Sequence, residues 1–332
     1  MNREKPRLCL VFAMGMEMGP FLERVQPVQR WSHGKAAYRE VFFEGSHLLV
    51  VRCGIGPERA AASIKNLRER PDILISVGTA GALTDDLRVG DMVIASETVS
   101  TCESGGPLVS DAALVGLLAL ACAKEGKSLV SPQLFGATNH ELTDKRVVRS
   151  PSLKTEDLSS PVTVHGETGI VYPASCATGR GIAPHDAGNQ SVPRLPRGDL
   201  PLNDNRANRV PTQPGQGFCV GRVVTVRDAV FSPEERARLR HATQATAVEM
   251  ETYAIASAAN DLGVPHACLR VISDDFRSPP IPLRKSPRMA WNRPLAIPGD
   301  LVAKLRWRRF LKKFERSIAE LPPVLVRFMR EL

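Results

Sequence analysis

Three acidic residues stand where the chain leaves an apolar run or enters one: Glu17 in AMGMEMGPF, Glu251 in VEMETYAIA and Asp274 in LRVISDD. Acidic residues just past the C-terminal end of a strand are where layered α/β folds put their chemistry. One carboxylic acid can protonate a departing heterocycle, while carboxylates beside a sugar hold its hydroxyls, stabilise developing positive charge and activate water. Cleavage of an N-glycosidic bond requires all of these, because its base must leave without a full negative charge. Taken singly, each residue has a plainer reading. Glu17 could be a loop carboxylate, Glu251 part of a solvated helix face, and Asp274 an N-cap or turn residue. Glu249 and Glu251 are two apart, so on a helix they point to different sides and only one can face a buried pocket.

Elements that could position these residues follow from the apolar pattern. LCLVFA (8–13) and LLVVR (48–52) read as short strands, and ILISV (73–77) as a buried strand that breaks at Gly78. MVIA (92–95), FCVGRVVTV from Phe218, and HACLRVIS ending at Asp274 complete the strand set. Pro57 suits a first helical position, and PERAAASIKNLRER continues with helix formers up to Pro71. SPEERARLRHA opens with a Ser N-cap and early carboxylates, and residues 247–262 read as a further helix stopped by Gly263 and Pro265. Strand–helix alternation predicts an α/β sheet covered by helices. Asp91, in VGDMVIA, reads as a residue that fixes the loop before a strand.

Two stretches break this pattern. Residues 132–216 hold ten of the 26 prolines among Ser, Thr, Asn and Gly, and read as a largely irregular insertion, with a hairpin conceivable in VTVHGETGIVYPA. Residues 300–332 read as a basic amphipathic helix in which Leu305, Phe310, Leu311, Phe314 and Ile318 form an apolar stripe. With Trp307 and many cations it could lie on an anionic membrane surface, or dock on the domain with its cations solvated. The net charge of +9 belongs to this end: from Arg277 onward 14 Lys/Arg face 4 Asp/Glu, leaving residues 1–276 at about −1. That location argues against a nucleic-acid partner. The seven cysteines are scattered without metal-ligand spacing, and no stretch approaches the roughly 18 to 20 apolar residues of a membrane span. A cytoplasmic setting with reduced thiols is expected, with neither metal nor organic cofactor implied.

The series AMGMEM, CGIGPERAAAS, ISVGTAGALTDDLRVGDMVIAS, AVEMETYAIA and LRVISD resembles the purine nucleoside phosphorylase/uridine phosphorylase superfamily, most of all its methylthioadenosine/S-adenosylhomocysteine nucleosidase branch. The resemblance covers roughly residues 8–131 and 217–276. It implies a nucleoside-phosphorylase-like three-layer α/β fold, a central mixed sheet flanked by helices, over residues 1–131 and 217–299. It also implies a small-molecule nucleoside substrate and a homodimer. By position, Glu17 would activate the attacking water and Asp274 would protonate the purine at N7, beside Ser273 and one strand turn beyond Arg270. Glu251 would hold the 2′ and 3′ hydroxyls, Met250 would pack on the sugar, Ile55 would lie near the ribose, and Thr79 with Gly78 would sit at the nucleophile pocket. Arg270 could equally be a structural ion-pair partner. Val230 or Phe231 would stack on the base. The N-terminal phosphate-binding signal of the phosphorylases is absent, which favours water as nucleophile. Arg52 and Arg59 remain candidate phosphate ligands, and the hopanoid-associated phosphorylases of the same superfamily, which act on adenosyl lipids, offer an alternative.

Overall fold

A computed structural model of the chain describes residues 5–25, 27–131, 215, 217–277 and 301–332. Residues 132–216, the expected insertion, apart from Gly215, and residues 278–300 lie outside the described residues. The fold is organised on β1 (Leu8–Phe12), all of whose side chains are buried. Successive strand residues point to opposite faces, so Leu8, Leu10 and Phe12 enter one apolar cluster while Cys9 and Val11 enter another. β1 is therefore covered on both sides, and its unbroken apolar run is what that position requires.

Parallel neighbours flank β1: β4 (Ser46–Arg52) on one side and β5 (Ile73–Ala82) on the other. Beyond β4 an antiparallel meander adds β3 (Ala36–Phe43) and β2 (Pro27–His33). Beyond β5 come β11 (His266–Asp274), β6 (Met92–Ser100), β9 (Gly217–Thr225) and β10 (Ala247–Glu249). β10 pairs with β9 and also, antiparallel, with β5, so this half of the mixed sheet closes on itself. The short β7 (Leu108–Val109) and β8 (Ser128–Leu129) pair with β6 and β9.

Helices cover both faces and give three layers. α1 (Gly15–Leu22), α3 (Ala112–Lys124) and the last helix, α7 (Leu321–Glu331), share the first cluster. α2 (Pro57–Lys65) and α5 (Thr252–Asp261) share the second. α4 (Pro233–Thr243) begins as expected at Ser232, whose hydroxyl accepts from Glu235 N.

Four expectations are corrected. β5 does not break at Gly78; it runs on to Ala82, because Gly78 and Gly81 remain in register with Arg270 and Asp274 of β11. Residues 247–262 are not one helix: Ala247–Glu249 is a strand, and the helix starts only at Thr252. Pairing to β9 and β5 there overrides the local helix propensity. α2 stops at Lys65, where the Asn66 side chain returns to Ala62 O at 2.7 Å. The C-terminal region holds two helices, α6 (Leu301–Ile318) and α7, separated where Pro322 and Pro323 open a new first turn. Trp307, Phe314 and Ile318 of α6 are buried, and Leu321, Val324, Leu325 and Phe328 of α7 complete the core against α3. Leu305 departs from the expected stripe and is 47% exposed. Asp91 holds the loop before β6 as read, accepting from Arg88 N at 2.8 Å and Gly217 N at 3.0 Å.

Candidate active site

At the C-terminal ends of β1, β4, β5 and β11 lies a cavity of about 770 Å³, in the size range of small-molecule sites. Glu17, Glu251 and Asp274 all line it, together with Ile55, Thr79, Met250 and Ser273. These residues are brought from five separate stretches of chain. Gly78 and Arg270 do not reach the lining and lie behind it.

Glu17 enters from the first turn of α1 and is 2% exposed. Its Oε1 accepts from Thr79 N and Thr79 Oγ1, both at 2.8 Å, and its Oε2 accepts from Met14 N at 2.9 Å. Three of about four acceptor positions on the carboxylate are thus filled by donors, leaving one on Oε2. Burial raises its pKa above the ordinary carboxyl value, opposed by Arg270 and by the Thr79 and Met14 donors. Gly78 leaves the room that this carboxylate needs, since a Cβ there would stand 2.9 Å from Glu17 Oε1.

Glu251 occupies the N-cap position of α5 rather than its interior, and its Oε1 accepts from Gly56 N at 2.8 Å. Gly56 adopts φ 103°, which glycine takes without strain, and its N–H, on the Ile55–Gly56 peptide, faces the carboxyl. Burial, and then the neighbouring Glu249 charge, push Glu251 up to about 8. The carboxyl therefore holds its proton near neutrality and can both donate to and accept from hydroxyls.

Both glutamates of the VEME stretch are buried and line the cavity, contrary to the expectation that only one could face a buried pocket. The strand-to-helix junction at 249–252 lets both of them face inward. Glu249 Oε2 accepts from Arg270 Nη2 at 2.8 Å, Glu251 N at 2.9 Å and Thr252 N at 2.8 Å. Arg270 also donates to Ser76 Oγ at 2.8 Å and Thr252 Oγ1 at 2.7 Å. Although burial opposes its ionisation, Arg270 and the Thr225 hydroxyl hold the Glu249 carboxyl below the ordinary value. Arg270 is thus the ion-pair partner of Glu249, supporting the backbone that carries Glu251.

Asp274 ends β11. Ser273 Oγ bonds Asp274 Oδ1 at 2.6 Å, and Arg236 of α4 pairs with Oδ2. Burial raises the Asp274 pKa, against the pull of Arg236 and of Ser273. Arg236 carried no readable signal, because EERARLRHA shows no apolar stripe against which a buried position would stand out. The remaining wall combines Met250, Val230 and Phe231, the last two both candidates for the base-stacking position, with Trp307, Phe310 and Phe314 from α6. The helical spacing of Phe310 and Phe314 was legible, but not that Trp307 joins them or the surface they face. Phe276 packs on a core cluster with Ala80 and Ile272. Among the described residues no group of three or more His, Cys, Asp or Glu side chains is placed to hold a metal ion.

A partly closed mixed sheet thus lies between helix layers, with buried carboxyls converging at its strand ends. Residues 7–130 and 202–280 match the phosphorylase superfamily, and the chain belongs to it. Among curated proteins, the 5′-methylthioadenosine/S-adenosylhomocysteine nucleosidase of Bacillus licheniformis is 30% identical over 93 residues, 27% of this chain and 40% of that protein. The enzyme of the same name from Shewanella pealeana is 44% identical over 93 residues, again 27% and 40% of the two chains. The matched stretch thus spans 40% of the length of these curated relatives. Among solved structures, the nucleosidase of Neisseria meningitidis in complex with methylthio-immucillin-A superposes with a TM-score of 0.58 at 18% identity, covering 99% of this chain and 100% of that one. A futalosine hydrolase mutant of Helicobacter pylori gives 0.59 at 15%, with the same coverage. At these identities the likeness is one of fold.

Proposed function

We propose that the chain is a purine nucleosidase that hydrolyses the N-ribosidic bond of an adenine nucleoside of the methylthioadenosine or S-adenosylhomocysteine type. The observation that carries this reading is the meeting of Glu17, Glu251 and Asp274, from three distant segments, on one cavity. Asp274, its proton affinity raised by burial, protonates the purine at N7 so that the base leaves neutral. Glu251 holds the ribose hydroxyls against the Gly56 amide, and Met250 packs beside the sugar. Glu17, with one acceptor position left, takes the proton of the water that attacks the cationic sugar carbon. Thr79, Ile55 and Ser273 are further lining residues, while Gly78 and Arg270 act from behind the lining. The names of the similar nucleosidases support the substrate class.

In this reading residues 1–131 and 217–299 form the nucleosidase-like domain, 132–216 an insertion and 300–332 a basic C-terminal segment, in a homodimer that sedimentation would detect. Phosphorolysis is the second reading, favoured by Arg59, which lines the cavity where a phosphate could meet it. Adenine release from methylthioadenosine, measured in phosphate-free buffer and again with phosphate, separates the two. Release independent of phosphate supports hydrolysis, and strict dependence on it moves the assignment to a phosphorylase, of which the adenosyl-lipid type is one. Contact with an anionic membrane would use Arg308, Arg309 and Lys312, which are exposed on α6. Charge reversal there, followed by liposome sedimentation, tests it without disturbing the core, which truncation at residue 300 would open.

A further inference from the structure

We propose that Arg236 is a positioning residue for Asp274: its guanidinium, fixed by backbone carbonyls, holds one oxygen of the acid and leaves the other to the base and Ser273. The inference rests on the reading of Asp274 as the acid. Arg236 is 2% exposed and its Nη2 pairs with Asp274 Oδ2. Its Nη1 donates to Ala82 O at 3.2 Å and to Asp275 O at 3.0 Å, so it is tied to the ends of both strands that bound the acid. A side chain held this way cannot swing out to solvent, and its charge is a permanent part of the surroundings of Asp274.

The manner in which α4 docks supports a role beyond packing. The buried residues of this helix are two arginines, Arg236 and Arg240. Arg240 turns back to the end of its own helix, donating to Ala245 O at 2.7 Å and Gln244 O at 3.1 Å. Arg240 also feels the Asp86 charge, but Asp86 does not line the cavity, whereas Arg236 pairs with an acid that does. Burying a charged pair is costly, and an apolar side chain of similar volume would dock a helix at least as well. β5 is also shaped around the pair: a Cβ on Gly81 would stand 2.6 Å from Arg236 Nη2 and 2.9 Å from Asp274 Oδ2.

The other charges on the surrounding elements are already engaged. Asp275 accepts from Val89 N at 3.2 Å and pairs with Lys313 of α6 at 3.0 Å, and Arg277 pairs with Asp85 at 2.8 Å. Among the described residues, Arg236 is therefore the cation that directly opposes the effect of burial on Asp274. It limits how tightly the acid keeps its proton, and with Ser273 it fixes the carboxyl plane toward the base.

The test is a pH profile of kcat/KM and kcat for adenine release, with Arg236→Leu, Arg236→Gln and Arg236→Lys against the parent enzyme. Without the guanidinium, burial is opposed by the Ser273 hydroxyl but no longer by a cation on Oδ2, so Asp274 holds its proton to higher pH. The alkaline limb should move upward by about one to three pH units, the size of effect a neighbouring arginine has on a carboxyl. kcat should fall by about ten- to a hundredfold through lost orientation, with KM changing much less. Arg236→Lys, which keeps the charge but not the planar fork, should leave the limb near its original pH while lowering kcat. If Arg236→Leu fails to fold, Arg236→Gln is judged by the same criterion. A limb unmoved in the neutral variants, with only the melting temperature lowered, would overturn the proposal and make Arg236 a helix anchor. Should Asp274→Asn turn over normally, the acid assignment fails instead; an inert Asp274→Asn with an unmoved Arg236→Leu limb defeats Arg236 alone.

Discussion

Replacing Glu249 by Gln tests whether the cavity floor is built on a buried charge. The change keeps the side-chain shape but leaves the Arg270 guanidinium, 2% exposed, without the carboxylate that receives it at 2.8 Å. The amide has one oxygen to offer where Glu249 Oε2 accepts from Arg270, Glu251 N and Thr252 N and Oε1 accepts from the Thr225 hydroxyl. Removing one partner of a buried ion pair costs about 3–5 kcal/mol, because the remaining charge stays desolvated. For a domain of this size each kcal/mol lowers the melting temperature by roughly 2–4 °C, so a fall of about 10 °C is expected. Thermal unfolding followed by circular dichroism measures it. The companion variant Glu249→Gln/Arg270→Met removes both charges and should recover a large part of the loss. A single variant melting within about 2 °C of the parent, or a double variant no better than the single, would refute the reasoning.

Further outcomes follow from the same geometry. Gly78→Ala puts a methyl group where a Cβ would meet Glu17 Oε1 at 2.9 Å, so kcat should fall by about tenfold or more with the fold retained, read by steady-state kinetics and a far-UV spectrum. Glu251 is held at about 8 in the folded chain and near the ordinary carboxyl value when unfolded, so the native state binds the extra proton between those pH values and its stability falls as pH rises through them. Glu251→Gln should remove that component, and the difference in melting temperature in favour of the variant should grow from pH 5 to pH 8. Glu17→Gln should abolish the acid limb of the kcat profile, which burial of Glu17 shifts upward from the ordinary carboxyl value.

The parts of this molecule that could be read from the sequence are those whose signal is local. The run LCLVFA reads as a short strand, and β1 is one, buried at each residue. Ser232 announced α4, and Asp91 announced a fixed loop. The three carboxylates stood out because each adjoins an apolar run. What could not be read depends on partners far away in the chain. Ala247–Glu249 looks helical until β9 and β5 are present to pair with it, and only that pairing turns Glu249 inward to Arg270. Arg236 belongs to a helix with charges all round, and its burial follows from the position of Asp274, 38 residues away. The α6 stripe was visible, but its face against the cavity is set by where β11 ends.

If these carboxyls cleave an N-ribosidic bond with Asp274 as the acid, the most direct test is adenine release from methylthioadenosine by the parent chain and by Asp274→Asn, with binding of a nucleoside analogue measured on both. Release by the parent is predicted, with a loss of about two to four orders of magnitude in the variant and analogue binding retained. Equal turnover by the two proteins, or no release by the folded parent with or without phosphate, would contradict it.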